Sequence, residues 1–137
     1  MAKAEIIKQL TVITENKVGI LQEVSLAISA AGANISAICA YAMQDKAHFY
    51  LITSDNRKAA SALKAKDYAI SEQEVVLIQL EDKPGQAAQM AGKIKAAGIN
   101  INYIYGTTCK CTNSNTCMII IDSHDNKKLV SVVNKNK

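Results

Sequence analysis

The side chains that could do chemistry fall into three sets: four cysteines, two histidines, and a polar turn that the chain writes twice. Cys109-Lys110-Cys111 places two thiols on one face of an extended segment, and Cys117 returns after the polar stretch 112–116. Three thiolates could hold a soft metal such as zinc or copper(I). The Cys-x-Cys spacing, however, is not the Cys-x-x-Cys of zinc sites, no histidine stands beside it, and Cys39 lies in the other half of the chain. Free thiols or an adventitious disulfide are expected, with no metal ligand and no cofactor assigned. His48 alternates with Phe49 in an apolar run, and His124 precedes a helix signal. Neither has a nucleophile or a second ligand beside it, so both are given structural or surface roles. Tyr103 and Tyr105 share a strand face, where packing is the first expectation. No catalytic residue is assigned, and the chain is not expected to be an enzyme.

The repeated turn is the stronger signal. Glu15-Asn16-Lys17-Val18-Gly19 returns as Glu81-Asp82-Lys83-Pro84-Gly85, and Ala30-Ala31-Gly32-Ala33-Asn34-Ile35 as Ala96-Ala97-Gly98-Ile99-Asn100-Ile101. Both matches share an offset of 66 residues, and nine of the 21 positions from Glu15 to Ile35 are identical in the second copy. That is an internal duplication. Each turn closes an apolar run and opens an amphipathic one, so free backbone N–H groups of a first helical turn should face out there. Such groups, with the helix dipole, suit a carboxylate. Gly19 and Gly85 allow close backbone approach, and acceptors at Asn16, Asp82, Asn34 or Asn100 suit an ammonium. The same residues also fit plain structural duties: Asn16 and Asp82 as helix caps, Asn34 and Asn100 as turn formers. At this level both assignments stand.

The elements that must position these groups follow from periodicity. Ile6 to Thr14 reads as a strand with Leu10, Val12 and Thr14 on one face. A helix follows from about Val18 to Ala31, with Leu21, Val24, Ile28 and Ala31 as its stripe and Gly32 as its left-handed stop. Copy two repeats the stripe as Ala87, Met90, Ile94 and Ala97, with Pro84, the only proline, at the first helical position. A hairpin turning near Gln44-Asp45-Lys46, a helix from Asp55-Asn56, and a short strand from Tyr68 to Glu72 complete copy one. The next strand, Val75 to Leu80, starts almost at once. Copy two repeats this order, but its second hairpin carries four extra residues and the chain stops four residues past Val133. No room remains for a last strand. The expected fold class is α+β, two ferredoxin-like βαββαβ modules side by side, each an antiparallel sheet with helices on one face, and the second lacking its last strand. The division falls at 1–72 and 73–137.

Composition sets the outer bounds. A 49% hydrophobic content with ordinary charge indicates a globular chain, and no apolar run reaches a membrane span. The start lacks a signal-peptide core, so a cytoplasmic protein is expected. The net charge is +4, but the only adjacent basic pairs are Arg57-Lys58 and Lys127-Lys128, a weak nucleic-acid signal.

A ferredoxin-like module with Glu-Asn-Lys-Val-Gly or Glu-Asp-Lys-Pro-Gly at its first turn, and Gly-x-Asn-Ile opening the next strand, resembles an ACT domain. Two of them filling a short chain resemble the stand-alone tandem ACT-domain proteins, over about residues 6–133. The resemblance implies binding of a small ligand, mostly an amino acid, in the regulation of amino-acid metabolism. It implies pairing of modules side by side, with an enzyme of that metabolism as a listener. A homodimer is expected because the missing last strand leaves a sheet edge needing a partner and each small module has a thin core. Carried over by position, it marks Asn16, Val18, Gly19, Ile20, Leu21, Asn34 and Ile35 in copy one. In copy two it marks Asp82, Pro84, Gly85, Gln86, Ala87, Asn100 and Ile101. Copy one departs by having Val18 in the usual proline place. Two other classes compete: a soft-metal protein and an RNA-binding ferredoxin-like module. The latter needs aromatics on central strands for stacking, and the first strands, Leu10–Ile13 and Val76–Gln79, have none.

Overall fold

The computed structural model describes residues 2–108 and 115–135. In order these form β1 (Lys3–Glu15), α1 (Ile20–Ala30), β2 (Ile35–Met43), β3 (Lys46–Thr53), α2 (Asn56–Lys64), β4 (Ala69–Glu81), α3 (Gln86–Ala96), β5 (Ile101–Thr108), β6 (Thr116–Ser123) and α4 (Asn126–Asn134). The duplicated β-α-β-β-α order is thus present twice. The chain divides into two compact units, Lys8–Gln73 on one hand and Met1–Ile7 with Glu74–Lys137 on the other. The strand order β2-β3-β1-β4-β6-β5 makes β1 and β4 the strands that both units use.

In the unit Lys8–Gln73, β3 pairs antiparallel with both β1 and β2. Alternation in β1 sends Leu10, Val12 and Thr14 inward, as the pattern requires, with Leu10 opposite Leu51 and Val12 opposite Phe49. These join Val24 and Ile28 of α1 and Ala59 and Leu63 of α2 in one core, so both helices cover the same face. Full burial of a Val, Ile or Leu of this kind contributes about 1.5–3 kcal/mol. The second unit repeats the arrangement with Val76, Ile78, Leu80, Met90, Ile94, Ile121, Leu129 and Val133.

Helix ends explain much of what the two copies share. Gly32 (φ 84°) and Gly98 (φ 70°) take left-handed conformations. Around them Ala33 N–H bonds to Ile28 C=O and Gly32 N–H to Ser29 C=O, matched by Ile99 to Ile94 and Gly98 to Lys95, a Schellman closure in both copies. Asp55 and Asp125 cap α2 and α4 by accepting from Lys58 N–H (3.1 Å) and Lys128 N–H (3.0 Å). The residue after each cap, Asn56 or Asn126, donates to the carbonyl of Lys8 or Glu74 and so ties its helix to a strand.

Three sequence expectations need correction. The segments 68–72 and 75–80 are not two strands but parts of the thirteen-residue β4. The stripe of α1 is Ile20, Val24, Ala27 and Ile28, with Leu21 55% exposed at its edge, and the helix starts two residues later than the pattern suggested. The vacancy at the end of copy two is filled as well. No strand follows α4 among the described residues, but residues 3–7, which the repeat boundary gives to copy one, fold with copy two. Ala4 is buried in that core, and its N–H and C=O bond to the side chain of Asn134 at 2.7 and 2.8 Å. The chain's own first strand therefore stands where a partner was expected.

This closure is testable. Asn134→Ala leaves the Ala4 amide and carbonyl without that partner, and each unmade buried bond costs about 1–3 kcal/mol. A net loss near 1 kcal/mol in denaturant unfolding is expected after the helix-propensity gain of alanine. Hydrogen exchange should accelerate at Ala4 before it does in β3; equal protection at both would contradict the closure.

Candidate functional site

The repeated turn has one geometry in both copies. Ile20 N–H bonds to Lys17 C=O at 3.2 Å, and Gln86 N–H to Lys83 C=O at 3.4 Å. The third residue of each turn, Gly19 (φ 88°, ψ 0°) or Gly85 (φ 90°, ψ −13°), has the dihedrals of the type II position that glycine fills. Pro84 and Val18 occupy the second position, where proline's fixed φ is at home. Pro84 is thus a turn residue and not the first residue of α3. The glycines themselves are the N-caps, and no side chain caps either helix. Asn16 and Asp82 are not caps; their backbone N–H groups bond to the carbonyls of Asp45 and Asn115.

What the turn presents outward is backbone and apolar surface. Glu23 N–H and Gln89 N–H make the first intrahelical bonds, to Gly19 and Gly85, so the amides of the preceding residues have no intrahelical carbonyl to reach. Val18 is fully exposed and Leu21 about half, while Asn16, Asp82, Pro84 and Ala87 are also exposed. Ile20 is a core residue, and Gln86 is half-buried. The glycines are needed here for backbone conformation: no atom lies within 4 Å of a Cβ built on Gly19 or Gly85.

The strand asparagines lie elsewhere. Asn34 and Asn100 are exposed, but their backbones close the far end of the sheet. Asn34 N–H donates to Ser54 Oγ (2.8 Å) and its C=O accepts from Ser54 N–H. In copy two His124 stands in that role, its Nδ1 accepting from Asn100 N–H at 3.0 Å and its N–H donating to Asn100 C=O. His124 is therefore structural. Ile35 and Ile101 pack half-buried on the two cores. A concave surface of about 520 Å³ runs past Ile94, Lys95, Gly98, Ile99, Asn100 and Ile101. Glu15 and Met43 both pair with Lys46, whereas Ile35 pairs with Thr53. The turn, level with the Met43 end of β2, and Asn34, at its Ile35 end, thus lie roughly 30 Å apart along the strand direction at about 3.3 Å per residue. One unit does not bring its two sets of marked residues together.

A group that sequence reasoning missed sits behind the first turn. Lys17 Nζ lies 3.1 Å from Glu23 Oε2, and Tyr68 O–H donates to Glu23 Oε1 at 3.0 Å. The Lys17 ammonium first, and the Tyr68 hydroxyl second, hold the Glu23 carboxyl below the usual range. Burial, then the Glu23 carboxylate, raises Tyr68 above the usual phenol range. Lys46 and Lys66 line the same concavity, of about 400 Å³. The available signal was a difference: Lys17 and Lys83 agree, but Glu23 faces Gln89 across the repeat.

Other candidates resolve as follows. Cys109 and Cys111 lie outside the described residues, as do the extra residues of the second hairpin, while Cys39 and Cys117 are half-buried free thiols. His48 stacks on Tyr41 (ring centroids 5.0 Å), and the Tyr41 and Tyr50 hydroxyls lie 3.3 Å apart. These rings belong to the helix-free face, where Thr11 pairs with Tyr50 and Ile13 with His48. Aromatics therefore stand on β3, a central strand, although the first strands have none. Among the described residues no helix is long and apolar enough to cross a membrane.

A family model described as ACT domain pair matches residues 5–137. No curated protein matches the chain. Protein BT0572 from Bacteroides thetaiotaomicron superposes with a TM-score of 0.87 at 31% identity, over 96% of this chain and 89% of that one. The regulatory subunits of aspartate kinase from Thermus thermophilus (ligand-free form) and Thermus flavus superpose at 0.65 and 0.63 with 15% identity. They cover 96% and 97% of this chain and 96% and 95% of their own. At that identity the two share its fold.

Two outcomes follow from the geometry. Gly19→Ala should cost about 1–2 kcal/mol, because a Cβ is disfavoured at positive φ although nothing obstructs it. Gly92→Ala, inside α3 and equally unobstructed, should instead stabilise by about 0.5–1 kcal/mol; denaturant melts of the pair check both signs. Glu23 has a depressed pKa, so its ionic contacts act above the ordinary carboxylate range and are lost as pH falls through the lowered value. The Glu23 carboxyl shift followed by NMR should therefore titrate late on acidification, and move back towards the ordinary range in Lys17→Met more than in Tyr68→Phe.

Proposed function

The chain belongs to the ACT domain pair family, and on that premise we propose that it is a non-catalytic regulatory protein whose effector is a free amino acid. The observation that carries the proposal is the doubled type II turn with an uncapped helix N-terminus behind it. A carboxylate is the natural occupant of such a terminus. Exposed Val18 and Leu21 beside it offer apolar surface to a side chain.

The separation of the turns from the strand asparagines supports a second element of the proposal. A site that uses both sets needs two modules running antiparallel, so that the turn of one meets the asparagine of the other. The edge strands suit that pairing. β2 and β5 carry no charge and no proline over Ile35–Met43 and Ile101–Thr108, and Ile38, Met43 and Ile104 are 42–54% exposed on them. An uncharged edge of this length is a template for another strand. A two-fold homodimer through the β2 edge of one chain and that of its partner meets the requirement. The missing terminal strand no longer motivates the dimer; the edge does. An enzyme of amino-acid metabolism remains the proposed listener, in the cytoplasm. The Tyr41, His48 and Tyr50 rings give the RNA alternative a stacking surface, but Lys46 is the one lysine on that face of β3 and Glu15 pairs with it, so phosphate has little to meet.

The test is a thermal-shift panel of the twenty amino acids, with single-stranded RNA as a further arm, followed by calorimetry and light scattering. At least one amino acid should raise the melting temperature, since ligand at a hundredfold over Kd stabilises by about 2.7 kcal/mol. Asn16→Ala and Asn34→Ala should each weaken binding by about ten- to a hundredfold, the loss of a hydrogen bond to a charged ligand group. A monomer at tens of micromolar, or stabilisation by RNA alone, would retire the proposal.

A further inference from the structure

The two copies share a backbone, so each serves as a control for the other, and one contact of copy two is absent from its matching place in copy one. Asn134, the last residue of α4, meets both backbone groups of Ala4. Its Nδ2 donates to the Ala4 C=O at 2.8 Å, and its Oδ1 accepts from the Ala4 N–H at 2.7 Å. The matching pair in copy one is Lys64, the last residue of α2, and Ile70, since the strands repeat at an offset of 66 and these helices at 70. The same two offsets carry the Asn56 bond to the Lys8 carbonyl onto the Asn126 bond to the Glu74 carbonyl, so the correspondence holds in space as well as in sequence. An amide offers both an acceptor and donors, whereas an ammonium only donates. Lys64 therefore cannot take the Ile70 N–H as Asn134 takes that of Ala4.

Successive residues of a strand turn their N–H and C=O to alternate sides. Along β4 the Glu74 C=O accepts from Asn126, and just past its end the Asp82 N–H reaches the Asn115 C=O, so the even-numbered residues face the side on which β6 pairs. That pairing runs from Val76 to Glu81. At Ile70 and Glu72 the same side has no paired strand among the described residues. A cleft of about 290 Å³ lies there instead, within the unit Lys8–Gln73, lined by Leu10, Arg57, Ala60, Lys64, Ile70 and Glu72. Leu10 and Ile70 give it an apolar floor continuous with the core, and Arg57 and Lys64 stand exposed on α2. The Glu72 carboxylate is engaged by Asn56 Nδ2 at 3.2 Å.

We propose that this uncapped edge takes an extended acidic peptide segment of a partner protein. The segment's backbone adds to Ile70 and Glu72 as a short strand, and a carboxylate side chain on the helix face falls to Arg57 and Lys64. The occupant follows from the groups left over. Ile70 calls for one acceptor and one donor at the spacing a peptide supplies, which is strand addition at a sheet edge. The two cations select an anion beside it. Nucleic acid shares the attraction to the cations but not the ladder. In copy two the Asn134 amide already fills this place, so each chain offers one such edge. The inference does not depend on the amino-acid reading above.

NMR on the full, isotope-labelled chain tests this with a hexapeptide of alternating valine and glutamate, its valine–lysine counterpart, a version interrupted by proline, and single-stranded RNA. Before any addition, the Ile70 amide should exchange at least about tenfold faster than that of Ala4. The valine–glutamate peptide should shift and protect the amides of Ile70 and Glu72, and neither altered peptide should. Lys64→Asn gives copy one the cap of copy two. It should slow exchange at Ile70 and weaken the acidic peptide at least about tenfold, with circular dichroism near wild type. Arg57→Gln leaves the edge open and should weaken binding by a smaller factor. A protected Ile70 amide in the free protein, wild-type peptide affinity in Lys64→Asn, equal binding of the lysine peptide, or shifts at these amides with RNA alone overturns the inference, as does no shift with the acidic peptide. Amino-acid binding should be unchanged in Lys64→Asn, so this inference and the proposal above fail separately.

Discussion

The constraint on which the rest depends is that every interior strand slot of an antiparallel sheet must be filled. Among the described residues the β-α-β-β-α order occurs twice with no strand after α4, so one strand slot has to be filled from elsewhere in the chain. The solution is a cyclic one. The first half of β4 is the fourth strand of the unit Lys8–Gln73 and its second half is the first strand of the next. The first half of β1 then closes the circle, placing Ala4 in one core while Leu10 and Val12 serve the other. An unpaired row of N–H and C=O groups is thereby avoided without a partner chain. Packing defects in either long strand are consequently felt in two cores.

The fold was legible in the sequence wherever glycine, aspartate or apolar period carried the information. Gly32, Gly98, Asp55 and Asp125 hold the stops and caps that their residue types announce. Two things were not legible. Ala2-Lys3-Ala4-Glu5 has neither β-branched residues nor strong alternation, so nothing local marks it as a strand; its pairing is set by the vacancy and by Asn134, far away in the chain. The turn Lys83-Pro84-Gly85 was ambiguous because proline suits both a first helical residue and the second position of a type II turn. The glycine that follows decides between them, since a left-handed φ cannot lie inside the helix. That choice moves the start of α1 by two residues.

The candidate site divided along the same line. Repeated identity located backbone geometry: the nine positions shared between Glu15 and Ile35 include Gly19, Gly32 and the turn-closing Asn34, and Ile28 and Ile35 belong to the core or its flank. Lys17 is the shared residue whose surroundings differ, paired with the helix in one copy and with its own strand in the other. Selection on a duplicated fold preserves what both copies need for folding. Positions outside that need can differ, as Glu23 and Gln89 do.

That argument bears on how two modules of one chain can come to have different tasks. The second turn keeps every backbone feature of the first, including the bond from residue 86 to residue 83 and the positive φ at Gly85. Its helix presents the neutral Gln86 and Gln89 where the first presents the core residue Ile20 and the acid Glu23. A neutral amide can both accept and donate, whereas an ionised carboxylate such as Glu23, held by an ammonium and a phenol, only accepts. Retained backbone with altered charge leaves the second unit able to fold, to complete the strand cycle and to offer its edge. The first unit differs in carrying a carboxylate on α1, Glu23, held by Lys17 and Tyr68.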